Sequence, residues 1–221
     1  MSYKPLTNQE VIDWWNQDPN FYQTYSFYPE NLNLIKKLDL NKNSRILEIG
    51  FGYGREIPSF MEITNHVYGL EIAEFCVPLA LEKLNPVFKP TLANYDGINI
   101  PADWNNFDLI YSCFVTQHMA KKSLKQLLVS ASNALAPTGR IVFEFFGSPN
   151  YMDEGFDCFS ENNLKGAMYN NGFSRREIER LAAAVNLLVE IEDWPVSDEG
   201  ISFNNFWATF KKNRASFHYG N

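Results

Sequence analysis

A glycine-rich turn follows a short apolar segment and has the spacing of a ligand-binding loop. The segment Arg-Ile-Leu-Glu-Ile has the pattern of a buried strand with one acid, Glu48, and it leads directly into Gly50, Gly52 and Gly54. Glycine lets a backbone turn tightly and approach a ligand closely, because no Cβ intervenes. The NAD-binding loop would need a glycine where Arg55 stands, and the Gly-Lys-Ser/Thr of a phosphate-binding P-loop is absent. Glycine-rich turns also arise for purely structural reasons, so that alternative stays open for the loop taken alone.

A second acid stands where a bound ribose would need one. The segment His-Val-Tyr-Gly-Leu has the pattern of another short strand, and it ends at Glu71. Glu71 comes about 20 residues after Gly50, which is the offset of the ribose-binding carboxylate in Rossmann-like folds. A carboxylate there can accept hydrogen bonds from both ribose hydroxyls. The alternative is an ordinary solvated acid at a strand end, and the nearby glycine loop favours the ribose role.

The order Glu-x-Gly-x-Gly-x-Gly-Arg resembles motif I of the class I S-adenosylmethionine (SAM)-dependent methyltransferases. The segment Asn-Tyr-Asp-Gly is similar to the part of that family that meets adenine, so Asp96 would accept from adenine N6 and the Gly97 amide would donate to N1. Turn chemistry is the alternative for Asp96, since Asp-Gly is a strong turn pair. The resemblance implies ten cofactor-binding residues: Glu48, Gly50, Phe51, Gly52, Gly54, Glu71, Ile72, Asp96, Gly97 and Ser112.

The segment 107–112 resembles the motif IV strand of the same family, and it ends at Ser112. The Asn/Asp-Pro-Pro-Tyr/Phe sequence of methyltransferases that modify base amines or protein amides is absent. The following Ser-Cys-Phe-Val-Thr-Gln-His is similar instead to the small-molecule branch. Specific motifs of the family thus cover about residues 44–146, and they do not reach the first forty residues.

His118 is the candidate catalytic residue. The methyl of SAM is already electrophilic, so such an enzyme mainly holds the nucleophile in line with the C–S bond. A hydroxyl nucleophile also needs a base within hydrogen-bond reach, whereas a neutral amine needs only positioning. An ordinary histidine titrates near neutral pH and suits that role. The alternative, that His118 only fixes its loop by hydrogen bonding, stays open.

Three places are expected to enclose the methyl acceptor, because ligands of open α/β sheets lie outside the carboxyl ends of the strands. They are an aromatic segment near the N-terminus, the loop around His118, and an irregular acidic excursion at 147–172 with Asp153, Glu154 and Asp157. Packing of the aromatic segment in the core is the rival interpretation. The candidate substrate-binding residues are Tyr22, Tyr25, Tyr28, Gln117 and Glu144.

Alternating strand and helix patterns must position these residues. Strands are expected at 45–49, 66–70, 90–94, 107–112, 140–146, 186–193 and 205–211, and helices at 8–17, 29–38, 55–62, 73–84, 121–135 and after Ser174. The pattern predicts an α/β, Rossmann-like class I methyltransferase fold: a mostly parallel seven-stranded sheet with helices on both faces and an antiparallel last strand. Residues 1–43 would form a helical and aromatic cap, 44–213 the SAM-binding domain and 214–221 a tail.

Composition limits the partners and the chemistry. The chain has 221 residues with a formal charge of −7 and contains no long basic run, so nucleic acid is a poor partner. No signal peptide or membrane span is evident, so we expect a cytoplasmic protein that does not bind membranes. The cysteines Cys76, Cys113 and Cys158 are odd in number and widely spaced, which indicates neither disulfides nor a metal site.

These patterns predict a SAM-dependent methyltransferase that modifies an oxygen or nitrogen of a small metabolite. The product from the methyl donor would be S-adenosylhomocysteine. Two alternatives stay open: a protein or peptide methyltransferase, and a non-catalytic subunit that binds SAM for regulation or scaffolding. The acceptor's identity and the oligomeric state are not predicted.

Overall fold

The computed structural model describes residues 7–17, 35–84, 88–147, 172–193 and 205–213. Several sequence predictions lie outside the described residues: Tyr22, Tyr25 and Tyr28, nearly all of the excursion at 147–172, Cys158 and the tail at 214–221. Of the helix predicted at 29–38, the described part is a 3-10 turn at Ile35–Lys37.

The described elements alternate between strand and helix as predicted. In chain order they are α1 (Asn8–Trp15), β1 (Ile46–Ile49), α2 (Ile57–Met61), β2 (Val67–Glu71), α3 (Cys76–Lys83), β3 (Thr91–Asn94), β4 (Phe107–Ser112), α4 (Lys121–Ala134), β5 (Leu135–Phe145), α5 (Arg175–Ala184), β6 (Leu187–Asp193) and β7 (Phe206–Lys212). A 3-10 turn at Thr116–His118 lies between β4 and α4. None of the described helices has the length and apolar character needed to cross a bilayer.

The seven strands form one sheet in the order β3-β2-β1-β4-β5-β7-β6. β1 to β5 pair in parallel, and β7 runs antiparallel to both β5 and β6. This arrangement confirms the predicted Rossmann-like fold with its antiparallel strand near one edge. The strand order reverses between β1 and β4, and such a reversal opens a crevice at the carboxyl ends of the strands.

Apolar side chains cover both faces of the sheet, which explains why its central strands are almost continuously hydrophobic. All four residues of β1 are buried. On one face α4 packs with Leu124, Leu127, Leu128 and Ala131, the helical spacing of a core-facing stripe. On the other face α2 and α3 pack against β1 and β4. The carboxyl edge of the sheet is therefore held between two layers of helices.

One strand begins earlier than predicted. The fifth strand was expected at 140–146, but β5 already begins at Leu135. Phe107 pairs with Leu135 and Leu109 with Arg140, so the intervening residues of β5 form a bulge. A Cβ at Gly139 would lie 2.4 Å from the carbonyl oxygen of Phe107, which explains the glycine at this close backbone approach.

Candidate active site

A cleft opens at the carboxyl ends of β1, β2 and β4, where the strand order reverses. Four segments supply its walls: α1 with Asn8, Val11, Ile12 and Trp15; the glycine loop with Gly50, Phe51, Gly52, Tyr53 and Arg55; the ends of β2 and β3 with Glu71, Ile72, Tyr95 and Gly97; and the loop after β4 with Cys113, Phe114, Val115, His118, Met119 and Ala120.

The glycine loop needs glycine for both conformation and space. Gly50, Gly52 and Gly54 have φ angles of 76°, 52° and 76°, in the left-handed region that other residues rarely adopt. A Cβ at Gly50 would lie 2.2 Å from Cγ2 of Val115 in the loop after β4. The two loops therefore meet directly, and they form one continuous floor for a ligand.

Glu71 ties the glycine loop to the end of β2. Its buried carboxylate accepts hydrogen bonds from the amides of Gly52 at 2.9 Å, Ile72 at 2.8 Å and Ala73 at 3.1 Å. Burial raises the pKa of Glu71, and these three donors oppose the increase. A carboxylate has about four acceptor positions. About one acceptor position therefore remains for a ligand hydroxyl, which fits the predicted ribose role. Hydrogen bonds to both ribose hydroxyls at once would require one of the three amides to be released.

The loop after β3 reaches the cleft through Tyr95 and Gly97. The carboxylate of Asp96 instead accepts hydrogen bonds from the amides of Ile98 and Asn99 at 2.9 and 2.7 Å and from Nδ2 of Asn99 at 2.6 Å. These contacts are turn chemistry and favour that interpretation for the carboxylate. An adenine contact by Asp96 stays a prediction, whereas Gly97 stands in the wall where the prediction expects it.

The loop after β4 carries His118 into the cleft. Phe114 has a φ of 58°, and the 3-10 turn that follows is closed by a 2.9 Å hydrogen bond from the amide of His118 to the carbonyl of Val115. The imidazole of His118 packs edge-on against the indole of Trp15, with 4.8 Å between ring centroids. His118 thus lines the cleft in contact with α1.

Six of the predicted site residues do not line the cleft: Glu48, Gly54, Asp96, Ser112, Gln117 and Glu144. Ser112 donates its hydroxyl to the carbonyl of Ile49 at 3.0 Å, and so links β4 to β1. Gln117 is buried, with 4% of its surface exposed. Burial, followed by the charge of Glu56, raises the pKa of Glu48 well above its usual range.

Glu144 lies deeper than predicted. It is completely buried on β5, and its carboxylate accepts hydrogen bonds from the amide of Phe114 at 3.0 Å and from Nδ2 of Asn205 at 2.6 Å. A carboxylate already engaged in this way is held away from a bound acceptor. The structure therefore places Glu144 under the loop after β4 and outside the substrate wall.

The sequence interpretation missed α1 as a wall of the cleft. Thr7 and Glu10 form a complete capping box that starts the helix, and Val11, Ile12 and Trp15 then face the cleft. Two side-chain amides fasten the helix to the cofactor loops: Asn8 donates to the carbonyl of Asp96, and Asn16 donates to the carbonyl of Ile72 at 3.3 Å. The capping box and the apolar spacing were readable signals of an amphipathic helix that needed a partner.

Comparisons with known proteins agree with this geometry. A family model described as a methyltransferase domain matches residues 46–139. Phosphoethanolamine N-methyltransferase of Plasmodium falciparum (isolate 3D7) is 29% identical over 110 residues, which are 49% of this chain and 41% of that protein. The chain spans about half the length, or less, of the curated relatives that it matches.

Two solved structures share the fold at low sequence identity. DhpI in complex with SAM and HEP superposes with a TM-score of 0.71 at 13% identity, covering 96% of this chain and all 100% of that chain. Phosphoethanolamine N-methyltransferase 2 of Haemonchus contortus, with phosphomonomethylethanolamine and S-adenosylhomocysteine, superposes with a TM-score of 0.68 at 16% identity, covering 94% and 61%. At such identities the likeness concerns the fold alone.

Residues 46–139 match the methyltransferase-domain model, and the sheet order and the glycine loop agree with a class I SAM-dependent methyltransferase domain. This confirms the family and the cofactor predicted from the motifs. The residues present fit SAM: the loop lacks Cβ atoms where the ligand must approach, and the carboxylate of Glu71 retains an acceptor position at the cleft.

Glu71→Ala should weaken the binding of S-adenosylhomocysteine by about 30-fold or more, because it removes a charge-assisted acceptor for the ribose and releases the amides of Gly52, Ile72 and Ala73. Isothermal titration calorimetry measures the change. Glu74→Ala is the matched control, since it removes the same charge from an exposed position three residues away. Equal affinities for the Glu71 variant and the wild type would contradict the ribose assignment.

Glu144 should make the protein's stability depend on pH. Burial raises the pKa of Glu144 to about 8 from an ordinary value of 4.5, although its two N–H donors oppose the increase. Between these values the folded protein keeps a proton that the unfolded chain releases, so the free energy of unfolding falls as pH rises. The Glu144→Gln side chain cannot titrate. Between about pH 5 and about pH 8 the free energy of unfolding should therefore fall by about 4 kcal/mol less in this variant than in the wild type.

Urea denaturation across this pH range measures that difference. Subtracting the variant from the wild type removes the contribution of the other buried acids, which both proteins share. Parallel stability curves would show that Glu144 does not carry the proton.

Proposed function

We propose that the protein transfers a methyl group from SAM to an oxygen or nitrogen of a small metabolite. The observation that carries this proposal is the position of His118 in the wall of the same cleft that the glycine loop and Glu71 line. A cofactor-binding floor and a group able to move a proton therefore face one space. In this proposal residues 1–43 form a cap on a domain that spans 44–213, and the protein works in the cytoplasm, as expected from the sequence.

Each wall of the cleft has a part in the reaction. When bound, SAM supplies an electrophilic methyl on a sulfonium. The backbone of the glycine loop and the carboxylate of Glu71 would hold the donor, and the Gly97 amide would face its adenine. His118 would accept the proton of a hydroxyl acceptor, or would orient a neutral amine that needs no base. α1 closes the side of the cleft and keeps water from it.

The walls support a small and polar or cationic acceptor. Trp15 and Phe114 place aromatic rings at the cleft, and aromatic faces attract ammonium groups. The formal charge of −7 also favours the approach of cations over anions. The matching Plasmodium protein is named as a phosphoethanolamine N-methyltransferase, which is consistent with an amine acceptor. The predicted contributions of Tyr22, Tyr25 and Tyr28 belong to this proposal as well.

Incubation with SAM labelled in its methyl group and a fractionated metabolite extract tests the substrate class. The label should move into molecules that pass a small-pore filter, and amine-enriched fractions should accept most of it. Label found only in macromolecules would favour a protein or peptide substrate. Binding of S-adenosylhomocysteine without transfer to any fraction would favour the non-catalytic subunit.

His118→Ala should lower turnover by about 100-fold for a hydroxyl acceptor, the usual contribution of a general base. It should leave the affinity for S-adenosylhomocysteine within about threefold, because the predicted cofactor contacts are made by the glycine loop, Glu71 and the Gly97 amide and not by His118. Steady-state kinetics and calorimetry measure the two effects. His66→Ala is the control, because His66 is exposed and directly precedes β2, at the opposite end of that strand from the cleft. An unchanged turnover would remove His118 from the reaction.

A further inference from the structure

One residue of β5 holds the loop after β4 by both its side chain and its backbone. Oε2 of Glu144 accepts the amide hydrogen bond of Phe114 at 3.0 Å. The carbonyl oxygen of Glu144 accepts the hydroxyl of Thr116 at 2.6 Å. The two contacts therefore hold loop residues that are two positions apart, Phe114 and Thr116. The position of this loop relative to the sheet is therefore set by Glu144.

The loop requires such an anchor because its backbone is unfavourable by itself. Phe114 has a φ of 58°, which is uncommon for a residue other than glycine and costs of order 1–2 kcal/mol where it occurs. Its amide also points to the buried side of the loop, where a lost hydrogen bond would not be replaced by water. The bond to the Glu144 carboxylate offsets both costs.

A third residue orients the carboxylate. Asn205, buried and directly before β7, donates Nδ2 to Oε1 of Glu144 at 2.6 Å. Each oxygen of the carboxyl group thus has one hydrogen-bond partner, and the side chain has one well-defined orientation. Its neighbours on the same face of the sheet are apolar: Val142 on β5 and Trp207, which pairs with Glu144 on β7. An apolar residue of similar size would stabilise such a core better than a buried carboxyl.

The held loop forms much of the acceptor side of the cleft. Phe114, Val115 and His118 line it, and Val115 also occupies the space that Gly50 leaves open beside the glycine loop. A shift of the loop would move the imidazole of His118 relative to the floor that holds the cofactor. Displacements of about 1 Å are enough to slow group transfer about 100-fold.

We propose that Glu144 is a positioning residue: with Asn205 behind it, it fixes the loop at 113–118 and thereby places His118 opposite the methyl donor. It touches neither cofactor nor acceptor. The effect on turnover rests on the proposed function, whereas the effect on the position of His118 does not. This role replaces the substrate contact that the sequence suggested for Glu144.

Glu144→Leu and Glu144→Gln separate positioning from general stability. Leucine removes the acceptor for the Phe114 amide. Glutamine keeps it, because its carbonyl can accept that amide while its NH₂ group donates to Oδ1 of a flipped Asn205. Glu179→Leu, at an exposed position on α5, is the control for the loss of a glutamate.

Three measurements are made on each folded variant: the affinity for S-adenosylhomocysteine by calorimetry, the imidazole NMR resonances of His118 assigned with His118→Gln, and kcat with an acceptor. In Glu144→Leu the His118 resonances should move away from their wild-type positions and kcat should fall about 100-fold, while the affinity stays within about threefold. Glu144→Gln should restore both quantities.

Unchanged His118 resonances in folded Glu144→Leu would overturn the proposal, and so would a loss of cofactor affinity as large as the loss of kcat. If Glu144→Leu does not fold, Thr116→Val decides, because it removes only the hydroxyl donor to the Glu144 carbonyl. In Thr116→Val the His118 resonances should move away from their wild-type positions, because the loop has lost one of its two anchors on Glu144. Resonances that stay at the wild-type positions would overturn the proposal. Absence of turnover in the wild type would contradict the proposed function alone, since the resonances still test the position of His118.

Discussion

The contact between the glycine loop and the loop after β4 is the constraint on which the rest of the site depends. Val115 fills the space beside Gly50 that any Cβ would occupy. The two loops follow β1 and β4, the neighbouring strands between which the sheet order reverses. Because these loops touch, their contact sets the distance between the floor for the cofactor and the wall that carries His118. A shift of one loop would therefore also displace the other.

Buried carboxyl groups hold this arrangement together, each in a different way. Glu71 binds three backbone amides and closes the glycine loop on β2. Glu144 binds the loop after β4 from below. Glu48 lies beside Glu56 beneath the glycine loop, where burial keeps its pKa high. Burying an acid is costly unless donors or a proton compensate it. The site therefore sits on a polar layer inside an otherwise apolar sheet.

The helix α1 completes the cleft from outside the matched domain. Its two asparagines bind carbonyls of the loops after β2 and β3, and its Trp15 packs on His118. The segment that covers the cofactor loops and the segment that meets the candidate base are thus the same helix. Since the family model begins at residue 46, this wall is a feature of the chain's own N-terminal region.

The sequence by itself determined the fold class, the glycine loop and Glu71, because strand alternation and the need for glycine at left-handed turns are local properties. It also indicated His118 and the helix at 8–17. Only the tertiary structure decided that α1 lies over the cleft and that Glu144, Ser112 and Glu48 face inward. Along a strand buried on both faces, the residue pattern does not tell which face a polar side chain takes. Its partners, such as Phe114 and Asn205 for Glu144, come from distant parts of the chain and meet only in the folded sheet.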